Sequence, residues 1–359
     1  MRSAIATGVL LAAGAALAFG VTTPVVAWAG RDLGPFTTAA LLYLGAALAM
    51  LALRAFRGRG DAPLRRSDVP RVVGVAIAGG AVAPALLAWG LQRSGATVGS
   101  LLLNLEAVFT VLLARAWFRE PIGARVALAL AAMVAGGAAL TLATWSDASW
   151  GVLGVAGVAG ATLAWAADNT LTRPLAERDP REVVAAKGAL GAAITGAVAL
   201  AAGERSPALV PALALLACGA TGYGFSLRLY LLAQRRIGAG RTGSVFALAP
   251  FVGAAIAFAL GDRAGGPWTA AAAALFAAGV WLHATERHGH AHVHEPVEHD
   301  HPHRHDDGHH DHAHVPPVEG EHSHVHHHDR LEHAHDHAPD IHHTHDHRAT
   351  RTLDRLEKR

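Results

Sequence analysis

Two groups of side chains in this sequence could do chemistry, and they lie in very different surroundings. Glu106 is a carboxyl group inside a long apolar stretch, whereas all 25 histidines lie at His283 or beyond. A carboxyl group among apolar residues can carry a proton, and neutral imidazole is a good ligand for transition metals. The two groups therefore predict two activities in two separate parts of the chain.

The histidine-rich part covers residues 285–359 and consists mainly of His, Asp, Glu and Ala. It lacks apolar periodicity, so we expect a disordered tail without a folded core. H-x-H pairs recur at His290 and His292, His299 and His301, His312 and His314, and His333 and His335. These imidazoles, with nearby carboxylates, predict adaptive binding of Zn, Ni, Co or Cu(II), although no spacing selects one metal. The alternative is a solvated tail that chelates only because any histidine tract does.

The remaining residues, 1–284, are dominated by Ala, Leu, Val and Gly. A membrane-spanning helix needs about 20 mainly apolar residues, because each residue advances about 1.5 Å through a hydrocarbon core about 30 Å thick. Ten stretches qualify: 4–29, 35–53, 72–91, 98–114, 126–143, 151–171, 184–202, 208–232, 242–260 and 267–283. The predicted fold class is an all-α polytopic membrane protein, and neither an enzyme's water-facing catalytic set nor a required cofactor is visible.

Arginine is distributed unevenly between alternate loops. The loops after the second, fourth, sixth and eighth helices hold fifteen: Arg54, Arg57, Arg59, Arg65, Arg66, Arg71, Arg115, Arg119, Arg125, Arg173, Arg178, Arg181, Arg235, Arg236 and Arg241. The other loops hold four: Arg31, Arg93, Arg205 and Arg263. Such asymmetry indicates membrane topology and not nucleic-acid binding, and it predicts that both termini are cytoplasmic. Ala27-Trp28-Ala29 resembles a signal-peptide cleavage site, but the preceding run exceeds the usual signal core, so we expect the first helix to be retained.

An internal repeat links the two halves of the apolar part. QRSGATVGSLLLNLEAVF (92–109) leads into the fourth helix, and QRRIGAGRTGSVFALAPF (234–251) leads into the ninth. Leu17-Ala18-Phe19 in the first helix likewise matches Leu163-Ala164-Trp165 in the sixth. Because five is an odd number, two five-helix repeats enter the membrane from opposite sides and are inverted. We place the first repeat at 1–146 and the second at 147–284.

Several short motifs resemble the EamA-type drug/metabolite transporters. They are Arg119-Glu120-Pro121, the closing helices AAMVAGGAAL (131–140) and ALFAAGVWL (274–282), and Ala249-Pro250-Phe251. The resemblance implies secondary export of amino acids or other small metabolites across the bacterial inner membrane, through a central cavity lined by both halves. One position departs from it. Family members usually have a proline in the fourth helix at the position that the repeat matches to Pro250 of the ninth, and this chain has Glu106 there, which leaves open whether that helix bends.

Polar groups at membrane depth are the candidates for the transport pathway, because an ionisable residue there costs at least about 2.5–3.5 kcal/mol. We expect Asp168 either to line the cavity or to reach water or Arg173 at the boundary, and Lys187 to extend to the cytosol. The predicted pathway residues are Glu106, Thr110, Asp168, Asn169, Tyr223, Ser226 and Pro250.

Three functions remain open from the sequence. The first is a secondary exporter of a small polar metabolite or amino acid, with the tail as a metal-binding accessory. The second is an efflux permease for divalent transition metals that the tail collects. The third is a membrane-anchored metal buffer or sensor. Direct use of ATP is not expected, since the phosphate-binding motif GxxxxGK[ST] is absent.

Overall fold

The computed structural model describes residues 2–53, 62–118, 122–145, 149–175, 178–263, 266–285, 289–294, 297–303, 322–328 and 331–336. Its apolar part forms ten successive helices, which confirms the predicted polytopic fold. They are α1 (Arg2–Gly20, continued by Thr22–Ala29), α2 (Pro35–Leu53), α3 (Arg66–Ser94), α4 (Ala96–Leu102 and Leu105–Phe118), α5 (Ala124–Trp145), α6 (Ser149–Thr172), α7 (Pro180–Ala201), α8 (Leu209–Ala233), α9 (Thr242–Ala259) and α10 (Gly266–Ala284). Among the described residues, nine of these helices are long and apolar enough to cross a membrane, and α10, with 19 residues, is as long as α2.

Proline and glycine set several helix ends. Pro35 opens α2 and Pro180 opens α7, where a fixed φ and a missing N–H suit the first turn. Asp179 caps α7, and its carboxylate accepts a hydrogen bond of 2.9 Å from the Arg181 backbone N–H. The second helix of each repeat therefore begins with a proline. Gly95 turns the chain between α3 and α4 at a φ of 80°, a left-handed conformation that favours glycine.

The two repeats, α1–α5 and α6–α10, interlock where glycines allow backbones to touch. The third helix of each repeat crosses the second helix of the other. A Cβ atom on Gly191 of α7 would lie 2.5 Å from the carbonyl oxygen of Gly80 in α3. A Cβ atom on Gly219 of α8 would overlap the backbone of Leu42 in α2. Small residues are needed at these crossings, as in other membrane helix pairs.

Both third helices contain a seven-residue π-helical turn at these crossings. The turn in α3 covers Ala76–Val82, and the turn in α8 covers Gly219–Phe225. Such turns widen a helix locally and often occur at functional sites. We call the first turn, with the parts of α6 and α7 packed on it, the α3 junction. The second turn, with the parts of α1 and α2 packed on it, is the α8 junction.

The fourth helix of each repeat is interrupted near its middle. α4 breaks at Leu103 and Asn104, and α9 breaks at Ala247 and Leu248. α4 thus breaks without a proline at the position equivalent to Pro250, which is Glu106. The Asn104 carboxamide donates a hydrogen bond of 2.9 Å to the Leu101 carbonyl, which also accepts the Asn104 backbone N–H over 3.1 Å.

The connection between α8 and α9 is more helical than the sequence predicted. Helical hydrogen bonding runs through Ser226–Phe246, across the predicted gap between residues 232 and 242. The rings of Tyr230 and Phe246 nevertheless lie only 5.0 Å apart. Sixteen residues of straight helix would separate them by about 24 Å, so the chain reverses direction between them.

Four short strands lie in the tail: β1 (Gly289–His294), β2 (Val297–His303), β3 (His322–His328) and β4 (Leu331–Asp336). β1 pairs with β4 and β2 pairs with β3, both in antiparallel register. These pairings differ from the expected disordered tail in those four ranges.

Candidate functional site

Glu106 lies directly after the break in α4, halfway along the helix. It is the second residue of the segment that resumes at Leu105, as Pro250 is in the segment of α9 that resumes at Ala249. The break therefore places a carboxyl group at the start of a half-helix in the middle of the bundle. The Glu106 side chain is half-buried.

A hydrogen bond joins Glu106 to the other repeat. The Asn169 carboxamide of α6 donates to Glu106 Oε1 over 2.6 Å. Asn169 is exposed, so this contact lies at an open surface of the bundle and not in its packed core. The pair offers a carboxyl and a carboxamide, with donors and acceptors that a polar solute can use.

An ion pair lies beside this contact. Lys187 of α7 extends its ammonium group to the carboxylate of Asp168 in α6, and the two side chains are only 11% and 4% exposed. The Thr172 hydroxyl donates a further hydrogen bond of 3.3 Å to Asp168 Oδ1. Lys187 therefore does not extend to the cytosol but pairs with Asp168, and the side chain of Arg173, the other predicted partner, lies outside the described residues. The sequence missed this pair because the two residues are 19 positions apart on different helices.

Aromatic rings from both repeats meet next to these polar groups. Tyr223 of α8 packs against Phe19, Tyr43 and Trp165, with ring centroids 5.7, 5.4 and 6.3 Å away. Phe19 and Trp165, which the internal repeat matched, lie 6.4 Å apart with an edge-to-face geometry. The pseudo-symmetry of the sequence therefore brings equivalent residues together at the centre of the bundle.

The two halves of the chain match one transporter family. Residues 6–142 and 152–285 each match the EamA-like transporter family. The chain belongs to that family. An "Uncharacterized transporter" of Methanothermobacter thermautotrophicus is 29% identical over 209 residues, which cover 56% of this chain and 60% of that relative. A chain of known crystal structure aligns with 79% of this chain and 98% of its own length, with a TM-score of 0.56 and 20% identity, which shows a shared fold.

The other predicted pathway residues of this EamA-like protein lie in several different surroundings. Thr110 lies one turn beyond Glu106 on α4 and is half-buried, as is Pro250. Ser226 is buried, and its hydroxyl donates a hydrogen bond of 2.8 Å to the Ala15 carbonyl of α1. The predicted face of Tyr223, Ser226 and Tyr230 is therefore divided between the aromatic centre and a helix contact.

Sequence reasoning missed the contacts around the Gly79 carbonyl of the π-helical turn in α3. The Tyr43 hydroxyl and the Trp165 indole N–H both donate to this oxygen, the latter over 3.2 Å. A Cβ atom on Gly79 would overlap the Asp168 carboxylate. Two adjacent glycines, Gly79 and Gly80, inside an apolar span were the available signal, and they read equally well as simple close packing.

Strand register places several tail histidines opposite one another. β1 and β4 pair His290 with His335 and His292 with His333. β2 and β3 pair His299 with His326 and His301 with His324. His312 and His314 lie outside the described residues. Where the structure describes side chains, no group of three or more His, Cys, Asp or Glu residues is placed to hold a metal ion.

Proposed function

We propose that this membrane transporter is a secondary exporter that carries a small polar metabolite or amino acid by alternating access between its inverted repeats. The hydrogen bond between Glu106 and Asn169 carries the proposal, because it joins the two repeats at an open surface beside the break in α4. A solute can replace this bond with its own polar groups. Interrupted helices at the membrane midplane are a recurring form of transporter binding site.

The driving force and direction follow from other features. The sequence has no phosphate-binding loop, so an ion gradient is the energy source that this chain can use by itself. Export and an inner-membrane location are expected by analogy with the family. The fifteen arginines in alternate loops support a cytoplasmic location for both termini.

Orientation is tested with single cysteines at Gly60 and Ser146 in a Cys218→Ser background. A membrane-impermeant thiol reagent added to intact cells should label only the cysteine at position 146. Labelling at position 60 alone would reverse the orientation and move the tail to the opposite side.

Substrate and site are tested together by efflux. The solutes released by cells with and without the gene are compared, and the solute that differs is then assayed with variants. Glu106→Gln and Asn169→Leu should keep membrane insertion and reduce transport by at least about tenfold, equivalent to about 1.4 kcal/mol. Asp32→Asn, at an exposed carboxylate in the loop after α1, is the matched control and should transport normally. Transport by Glu106→Gln that equals wild type at every pH would leave Glu106 as a packing residue.

A metal cargo is the second candidate, and the strand register favours it. Directly opposed residues of an antiparallel pair share one face, so β1 and β4 bring four histidine positions to one face of their sheet. Imidazoles at such positions would suit Zn, Ni, Co or Cu(II). Metal collected there would be delivered to the transporter as substrate.

A truncated chain that ends at Glu286 distinguishes three candidate functions: a metabolite exporter, a metal exporter, and a metal buffer or sensor. Metabolite export should survive this truncation. Export of a metal cargo should weaken at low metal concentration, whereas a buffer or sensor should lose metal retention without any change in solute flux. Unchanged metal tolerance and metal retention in the truncated chain would remove both metal functions.

A further inference from the structure

The Asp168–Lys187 pair has no role in the proposed contact between Glu106 and Asn169. It lies within the membrane-spanning helices, joins α6 to α7, and is almost fully buried. Buried ion pairs are poor stabilising devices, because desolvation of both charges offsets most of their attraction. A pair kept at this depth therefore needs another explanation than stability.

The surroundings of the pair connect it to the opposite repeat. The Asp168 carboxylate packs against Gly79, and the Lys187 backbone packs against Gly80, both in the π-helical turn of α3. The Lys187 ammonium group also lies 6.0 Å from the centre of the Tyr43 ring in α2. A change in the charge of Asp168 therefore alters contacts between the second repeat and the first.

The equivalent position in the other repeat carries no charge. Thr22 of α1 packs on Gly222 of the α8 turn as Asp168 packs on Gly79 of the α3 turn. The backbone of Leu42 in α2 also packs on the α8 turn, at Gly219, and the backbone of Lys187 in α7 packs on the α3 turn, at Gly80. Both turns thus pack on the second helix of the other repeat, and among the residues described at the two junctions only Asp168 and Lys187 form an ion pair.

We propose that Asp168 is the binding site for the coupling proton and that Lys187 is the resident cation that the proton replaces. A proton adds to Oδ2 of Asp168, the ion pair is lost, and the ammonium group of Lys187 becomes free to leave the α3 junction. No other bond forms or breaks, and the protonated state carries one additional positive charge. Among the described residues, the charged or titratable groups that face Asp168 are Lys187 of α7, Tyr43 of α2 and Glu106 of α4, with the Thr172 hydroxyl on α6 itself.

The proposal rests on the proposed transport function but is tested first without a substrate. The full-length protein in liposomes is titrated with acid, and the infrared C=O stretching band of protonated carboxyl groups is followed. The double variant Asp168→Asn/Lys187→Met should lose one titrating band, and Lys187→Met alone should change the pH at which that band appears. Removing both charges avoids a lone buried cation, so the double variant is expected to fold. Glu106→Gln is the control and should retain the Asp168 band.

A spectrum of the double variant that equals that of wild type would overturn the proposal. A missing band in the Glu106→Gln control, with the Asp168 variants unchanged, would assign the titrating group to Glu106 instead and would also overturn it. Neither result depends on whether a substrate has been found.

Transport then gives a second readout. For the solute found by efflux, the double variant should keep exchange of labelled for unlabelled solute and lose its stimulation by a pH gradient by at least about tenfold. Retained stimulation would contradict the proposal, whereas absence of any exchange in wild type would count against the transport function alone.

Discussion

The α3 and α8 junctions show one backbone arrangement with two different sets of side chains. At both, a π-helical turn rich in glycine packs on the second helix of the other repeat. The α3 junction holds Asp168 and Lys187, and the α8 junction holds Thr22 and Leu42. In the proposed mechanism, backbone pseudo-symmetry supports two alternating states, and the charged pair is the site at which the proton acts.

At the end of the bundle where α7 and α9 finish, away from both junctions, carboxylates hold the repeats together in another way. Glu204, after α7, accepts hydrogen bonds from the backbone N–H groups of Phe36 and Thr37 over 3.2 and 2.7 Å. Asp262, after α9, accepts from those of Ala96 and Thr97 over 2.7 and 3.0 Å. Both link the second repeat to helix starts in the first at that end of the bundle.

The largest effect should come from breaking the charged pair. Asp168→Leu leaves the Lys187 ammonium group buried without its anion, at an expected cost of about 3–5 kcal/mol in the free energy of unfolding. The corresponding change at the α8 junction, Thr22→Val, loses one hydroxyl hydrogen bond to the Phe19 carbonyl and should cost about 0.5–1.5 kcal/mol. Unfolding with a denaturing detergent measures both costs. Adding Lys187→Met to Asp168→Leu should restore most of the lost stability. Equal costs at the two junctions would refute the distinction.

The second-largest effect should come from adding a methyl group at the two π-helical turns. Gly219→Ala forces a methyl group into the backbone of Leu42, and we expect a cost of about 1–3 kcal/mol. Gly80→Ala places its methyl 3.2 Å from the Lys187 carbonyl oxygen, a tight contact that a small shift relieves, so it should cost less than Gly219→Ala. Thermal unfolding of the two variants compares them directly. The reverse order would mean that the α3 turn is the less adaptable one.

The carboxylate links come third. Glu204→Gln and Asp262→Asn each weaken bonds to the start of a helix, at about 0.5–2 kcal/mol per link. The double variant should shift the population toward a state open at that end. A cysteine introduced at Ser94, which is buried, should then react faster with a thiol reagent in the double variant than in the control Asp32→Asn, which leaves both links intact. Equal labelling rates would show that the links do not limit opening.

The smallest contrast concerns two tyrosines. The Tyr43 hydroxyl donates to the Gly79 carbonyl at the α3 junction, so Tyr43→Phe should cost about 0.5–1.5 kcal/mol. The Tyr223 hydroxyl lies near Thr22 but has no hydrogen-bond partner among the described residues. Tyr223→Phe removes an unsatisfied buried group and should be neutral or stabilising in the same unfolding assay. A clear loss of stability in Tyr223→Phe would reveal a partner for that hydroxyl.

The sequence by itself determined the ten helices and the inverted repeat. Hydrophobic length specifies a spanning helix, because every backbone group in a membrane must be satisfied within its own helix. The match of Leu17-Ala18-Phe19 with Leu163-Ala164-Trp165 likewise anticipated that Phe19 and Trp165 are equivalent. Glu106 and Asn169 were also identified, since polar groups are rare and costly at that depth.

Only the tertiary structure decided the partners of these groups. The pairing of Asp168 with Lys187, the bond from Asn169 to Glu106 and the two donors to the Gly79 carbonyl all join different helices. Hydrophobic periodicity does not encode the rotation or depth of one helix relative to another; small residues at each crossing set them. The break in α4 was also undecided, because it forms without a proline, at a turn where the Asn104 side chain and backbone N–H both donate to the Leu101 carbonyl.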